Sequence, residues 1–327
     1  MAAMFRLAAA MILSSVASAQ SAQEAEIALA AKSPLTLARY VESHSTVDWK
    51  ALRSALGLKE SEYWFAPCGG NFGACSAETV TVANPDQAIV IIRGKGRSYA
   101  DEYLRYLQDG KGGWQFAGEN SAYKRNGPSN HELVQLGSKP FLKISSNHSQ
   151  NGAGIQQEVE DWFDLTQPGF EPVFSFTPDG SAGGFEFTIA RTMKAQSRFS
   201  QAAGLERIDT SLDVRFEATP GLDVQGTYVG VYERHADEKQ FTLRNAYAGL
   251  DLRTTIPTKD FEDLADPFTN PAKETFLVYA LPGLQKIATG SDPDARQWLQ
   301  SILDHAKDTP EKRTLLELFA KPPAPGR

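Results

Sequence analysis

Four acidic residues stand close together in the segment EVEDWFD, which runs from Glu158 to Asp164. In a β-strand, alternate side chains share one face, so Glu158, Glu160 and Asp164 would lie together. Carboxylates are the oxygen ligands that a hard cation such as Ca²⁺ prefers. The segment therefore predicts a metal site at these three residues. The alternative is a solvated strand face that resists pairing with another sheet.

The chain has two cysteines, Cys68 and Cys75, at the ends of the segment CGGNFGAC. The glycines between them let a short loop turn back sharply. In an oxidising compartment this spacing favours a disulfide, and closing so short a loop would stabilise the fold by roughly 2–3 kcal/mol. The alternative is a cysteine nucleophile, which needs a base. The histidines nearest to Cys75 in the sequence are His44 and His131.

Aromatic residues recur in segments that resemble β-hairpins, among them Trp114, Trp162 and Tyr232. Aromatic side chains on one sheet face could form a platform for a peptide or a glycan. They could equally form the core of an antiparallel sheet, whose strands are rich in such residues. The sequence predicts no cofactor, because its glycine-rich stretches match neither a dinucleotide-binding loop nor a phosphate loop.

The first nineteen residues have the three parts of a secretory signal peptide. Arg6 supplies the positive charge, and residues 7–16 form an apolar stretch that is too short to span a bilayer. Small residues at 17–19 then form a cleavage site. We therefore expect cleavage near Ala19 and a mature chain that is soluble in the periplasm or secreted, with no membrane span.

The rest of the chain divides by pattern into a helical segment at 20–60, a β-rich segment at 61–253, a helical segment at 254–321 and a disordered tail at 322–327. In the β-rich segment, short runs of β-branched and aromatic residues alternate with turn residues such as Pro178-Asp179-Gly180. The connections are too short for crossover helices, so the strands should pair antiparallel. The predicted fold class is α+β, with about ten strands flanked by helices. The candidate strands are 88–93, 101–108, 114–122, 131–136, 140–146, 155–165, 171–177, 184–193, 208–217, 222–233 and 240–247.

Three sequence features predict where helices begin. Ser45 starts a pattern that resembles a capping box, Ser291-Asp292-Pro293-Asp294 opens a second helix and Thr309-Pro310 opens a third. A stripe that includes Leu277, Leu281 and Leu284 predicts an earlier helix, which Pro282 should kink or break.

Composition excludes few classes of function. The formal net charge of −7 argues against nucleic acid as a partner. Because the sequence shows no nucleophile–base pair and no cofactor loop, it favours a non-enzymatic binding or interaction module in the cell envelope, whose ligand is an unknown protein, peptide or glycan. The alternative is an envelope hydrolase whose site is assembled from dispersed carboxylates and a histidine. A third possibility is an auxiliary subunit whose C-terminal helices dock a partner.

Overall fold

A computed structural model describes residues 21–44, 46–58, 74–82, 84–94, 100–123, 128–147, 155–184, 187–202, 204–219, 222–246 and 275–321. The predicted signal peptide (1–19), Cys68 and the predicted tail (322–327) lie outside these residues. The described chain confirms the predicted fold class, since its sheets are antiparallel and its helices lie near the two ends of the chain. It divides into two compact units, 1–129 with 165–171 and 130–164 with 172–327. The sequence pattern did not indicate this division of the strands.

The first unit has a four-stranded sheet in the order β1-β2-β3-β4 within the described residues. Its strands are β1 (Cys75–Thr81), β2 (Gln87–Gly94), β3 (Ala100–Gln108) and β4 (Trp114–Tyr123). Three helices come before it, namely α1 (21–30), α2 (Pro34–Ser43) and α3 (Trp49–Ala55). The apolar sides of the helices pack with one face of the sheet, where Val90, Ile92, Leu104 and Tyr106 are buried together with Leu37, Val41 and Leu52.

Local chemistry sets the helix starts. Ser33 caps α2, because its hydroxyl accepts a hydrogen bond from the Thr36 backbone N–H at 3.2 Å. The predicted start of the third helix at Ser45 is wrong. Asp48 is the capping residue, and its carboxylate accepts from the Ala51 N–H at 3.0 Å, so α3 begins at Trp49.

The segment 165–171 belongs to the first unit although it follows three strands of the second. Arg105 from β3 holds it: the guanidinium donates to the carbonyl oxygens of Leu165 at 2.6 Å, Gln167 at 2.7 Å and also Gly169. A Cβ atom on Gly118 would lie 2.9 Å from the Cβ of Phe170. Glycine at this position of β4 therefore lets Phe170 approach the strand closely.

The second unit has an eight-stranded antiparallel sheet, in which β5 to β12 follow one another in chain order across the described residues. The strands are β5 (Asn130–Leu136), β6 (Lys139–Asn147), β7 (Ile155–Asp164), β8 (Phe174–Gly184), β9 (Phe187–Ala202), β10 (Leu205–Thr219), β11 (Leu222–Arg234) and β12 (Thr242–Ala246). Pro178-Asp179-Gly180 was predicted to be a turn, but these residues lie inside β8. The pairing of β7 with β8 shifts register between Glu158 and Glu160, and a proline is tolerated at such an irregularity.

The helices α4 (Thr275–Thr289), α5 (Pro293–His305) and α6 (Pro310–Phe319) complete the described part of this unit. The predicted starts of the last two are confirmed, since Asp292 and Thr309 are their N-caps. Pro282 lies inside α4, which runs on past it rather than breaking. In the described residues, no helix is both long and apolar enough to cross a membrane.

A buried network of four charges crosses the eight-stranded sheet. Arg234 of β11 donates to Asp164 of β7 at 2.7 Å and to Glu206 of β10 at 2.6 Å, and Lys139 of β6 lies 2.8 Å from Glu206. Three strands separate β7 from β11, so a flat sheet would hold these strands about 19 Å apart. The contact therefore requires the sheet to curve so that β6 and β7 approach β10 and β11.

Replacing Arg234 with Gln tests the importance of this network. The substitution leaves Asp164 and Glu206 buried with Lys139 as the remaining cation of the network, so the free energy of unfolding should fall by about 3–5 kcal/mol. Arg207→Gln is the matched control, because the exposed Arg207 pairs with its neighbour Asp209 on the same strand. Urea denaturation should show little change for the control. Equal effects of the two substitutions would contradict the assigned role of the network.

Candidate functional site

Two neighbouring acids of β3, Asp101 and Glu102, are both buried, yet their surroundings differ. Because alternate side chains of a strand point to opposite faces, these two carboxyl groups face different sides of the four-stranded sheet. Glu102 lies on the face that the helices cover, together with Leu104 and Tyr106.

Asp101 is well compensated. Its Oδ2 atom accepts hydrogen bonds from the backbone N–H and the hydroxyl of Ser129, each at 2.8 Å. The guanidinium of Arg93 lies 2.9 Å from the same oxygen. Tyr103 completes the group through a 2.7 Å hydrogen bond between its hydroxyl and that of Ser129. These contacts provide the opposite charge and the donors that a buried carboxylate needs.

Glu102 has less support. Only 3% of its surface is exposed. Its Oε2 atom accepts a hydrogen bond of 2.6 Å from the hydroxyl of Ser121, which lies directly opposite on β4. Its Oε1 atom is buried and has no hydrogen-bond partner among the described residues. A buried oxygen in this state costs stability unless a water molecule or a ligand meets it.

Glu102 lines a small pocket that is partly open to solvent, and the free space inside it is about that of one water molecule. The walls are mostly apolar and come from α3, the residues that follow it, and strands β2, β3 and β4. The lining residues are Trp49, Leu52, Arg53, Leu56, Leu58, Ile92, Glu102, Leu104 and Glu119. A concave, apolar site with a few converging polar groups is the usual form of a ligand site.

The other two charged groups of the pocket neutralise each other. Arg53 of α3 forms a two-pronged ion pair with Glu119 of β4, in which Nη1 donates to Oε2 at 2.6 Å and Nη2 to Oε1 at 2.7 Å. Parallel bonds of this kind are among the strongest that side chains make. Arg53 therefore engages both oxygens of the Glu119 carboxylate, and the described lining offers no second cation to pair with Glu102.

Burial raises the pKa of the Glu102 carboxyl from its ordinary value of 4.5 to about 8. The hydrogen bond from Ser121 and the charge of Arg53 act in the opposite direction, whereas the nearby carboxylates of Glu119 and Asp101 raise the pKa further. The carboxyl is thus mostly protonated at neutral pH. It can donate or accept a hydrogen bond, and it can exchange a proton close to physiological pH.

No protein-family model matches the chain, and neither the curated proteins nor the solved structures that were compared include a match to it. The case for a site therefore depends on the geometry of the pocket and on the chemistry of the residues that line it.

The three carboxylates predicted to bind a metal lie on β7, but two of them are held by cations of the protein. Glu160 is buried and lies 3.1 Å from the Lys143 amine, and Asp164 belongs to the Arg234 network. Glu158 is exposed. No group of three or more potential metal ligands is found among the described residues.

Two residues of the predicted aromatic platform lie in the core of the second unit. Trp162 and Tyr232 are buried in a cluster with Phe174, whose ring lies 6.0 Å from that of Trp162 and 5.0 Å from that of Tyr232. Trp114 belongs to the first unit and packs at the edge of its core. Cys75 begins β1 and is buried, while Cys68 lies outside the described residues, so the disulfide stays a prediction.

Sequence reasoning missed Glu102, Arg53 and Glu119. One signal was present: the predicted strand 101–108 begins with two acids in a row. Such a pair must place one acid on each face of the sheet, and one of those faces must be buried. The pattern cannot indicate which acid finds a cation, because Arg53 and Arg93 reach them from other elements.

The raised pKa of Glu102 predicts a dependence of stability on pH. In the unfolded chain the group titrates near 4.5, so the folded protein holds an extra proton between about pH 4.5 and 8. Stability is therefore fully present below pH 4.5 and is lost as the pH rises towards 8. Relative to Glu102→Gln, the wild type should lose on the order of 3 kcal/mol between pH 5 and pH 8.

Denaturant unfolding at several pH values measures this difference. Glu42→Gln, at an exposed position of α2, serves as the control and should give a curve that is parallel to the wild type. If Glu102→Gln is also parallel to the wild type from pH 5 to pH 8, the carboxyl is not buried in its neutral form.

Proposed function

We propose that this protein is exported to the cell envelope, where it binds an organic ligand without transforming it and holds one end of that ligand in the pocket beside Glu102. The single observation that carries the proposal is the buried Oε1 atom of Glu102, which lines an apolar pocket without a partner among the described residues. A polar group in this position becomes satisfied when a ligand meets it.

The size of the pocket favours the end of a ligand over a whole large molecule. The free space inside the pocket is about that of one water molecule, so it suits a small polar head group on a chain that continues outward through the open side. A peptide side chain or a small metabolite fits this description. The apolar walls would supply most of the affinity, and the Glu102 carboxyl would orient the ligand.

A fragment screen by ligand-observed NMR tests the binding role. Small apolar fragments with one polar group should bind the wild type weakly. Leu56→Trp, which fills the pocket from the end of α3 and leaves Glu102 in place, should abolish that binding. Leu133→Trp, at an exposed position of β5, is the control and should keep it. If no fragment binds the wild type, or if fragments bind Leu56→Trp equally well, the proposal is wrong.

The contact between Ser121 and Glu102 favours hydrolysis as a second candidate function. In its ionised form, the Glu102 carboxylate accepts a hydrogen bond of 2.6 Å from the Ser121 hydroxyl and could take that proton as the serine oxygen attacks an ester. No described histidine lines the pocket, so Glu102 itself would act as the base. Turnover of simple ester fragments that is lost in Ser121→Ala would favour this candidate over binding alone.

Export and the Cys68–Cys75 disulfide remain part of the proposal, supported by the leader pattern and by the spacing of the cysteines. An intact-mass measurement on protein purified from the envelope of its native host tests both. We expect a chain that begins at Gln20 and whose mass rises by two hydrogen atoms on reduction. A full-length, reduced chain would contradict both parts.

A further inference from the structure

Among the described residues that line the pocket, carboxyl groups outnumber cations. Its lining contributes two carboxyl groups, Glu102 and Glu119, and one cation, Arg53. Because Arg53 uses both of its terminal nitrogens on Glu119, the second carboxyl has no counterion among the lining residues. When Glu102 is ionised, its charge therefore has no complement among the described lining residues, and one additional positive charge would supply it.

The walls restrict what kind of cation could enter. A hard metal ion such as Ca²⁺ needs six or more oxygen ligands, whereas the only other carboxylate in the lining is already bound to Arg53. Apart from the three charged groups, the lining is formed by Trp49, Ile92 and four leucines. These side chains suit an organic cation with an apolar chain, and an indole ring is a favourable neighbour for such a charge.

We propose that the pocket beside Glu102 binds a primary ammonium group that is carried on a short apolar chain. This inference rests on the proposed binding function and names the chemical class of its ligand. The ammonium group would donate to the Oε1 atom of Glu102, and the chain would lie against Trp49 and the leucines. A free alkylamine and a lysine side chain share this chemistry.

The surroundings of Glu102 give the inference a distinct pH dependence. The groups that face it are Ser121 and Glu119 from β4, Arg53 from α3 and apolar Ile92 from β2, and Asp101 is its neighbour on β3. In binding, the carboxyl releases its proton to solvent while the ligand keeps its own charge. Affinity should therefore rise with pH until Glu102 is ionised. A neutral ligand that accepts a hydrogen bond from the protonated acid would show the opposite trend.

The test measures binding of n-butylammonium and of the neutral 1-butanol to the whole protein at pH 6 and pH 8, with the Trp49 indole resonance as the NMR readout. Nα-acetyl-lysine amide, measured in parallel, shows whether a lysine side chain is accepted as well as a free amine. We expect n-butylammonium to bind at least about tenfold more tightly at pH 8 than at pH 6. The Glu102→Gln variant should lose this binding while remaining folded, as its thermal unfolding will show.

The outcomes separate the two proposals. If 1-butanol binds as tightly as n-butylammonium, or if affinity falls as the pH rises, the ammonium inference is wrong while the binding role of the pocket stands. If neither probe binds, and the fragment screen also fails, both proposals are wrong. Binding of n-butylammonium that survives in Glu102→Gln would place the cation elsewhere and overturn the inference.

Discussion

The fold depends on the compensation of buried charge. A charged side chain that leaves water must find an opposite charge or several hydrogen bonds, because its desolvation otherwise exceeds what the fold can supply. Asp164 and Glu206 form ion pairs with Arg234. Asp101 pairs with Arg93, and Glu119 pairs with Arg53. These contacts join elements that are distant in the chain. In the second unit they also fix the curvature of the sheet, since Arg234 reaches across three strands to Asp164.

Glu102 is the exception that gives the molecule its candidate site. It lies in the same strand as Asp101 and is buried to a similar degree but, unlike Asp101, it forms no ion pair among the described residues. A Gln at this position would keep the shape and remove the cost of the charge. A group that lowers stability at neutral pH while lining a pocket is better explained by recognition of a ligand than by folding.

The sequence predicted the features that neighbouring residues determine, namely strands and the starts of helices. Alternation of side chains and turn residues revealed most strands, and the starts of α5 and α6 were located correctly because an N-cap residue, Asp292 or Thr309, lies directly before a proline at the first helical position. Contacts between distant segments could not be read in this way. Glu160 and Asp164 were correctly placed on one strand, but the cations that hold them, Lys143 and Arg234, come from other strands. The pocket was missed for the same reason, because α3 and β4 place Arg53 and Glu119 beside Glu102.

The central claim is that Glu102 is held in its neutral form by burial beside a pocket. A carboxyl-detected NMR titration, with the resonance assigned by its absence in Glu102→Gln, measures the pKa of this group directly. The account predicts that the pKa of Glu102 is about 8. A pKa near the ordinary value of 4.5 would show that the group is solvated or paired, and would contradict the candidate site.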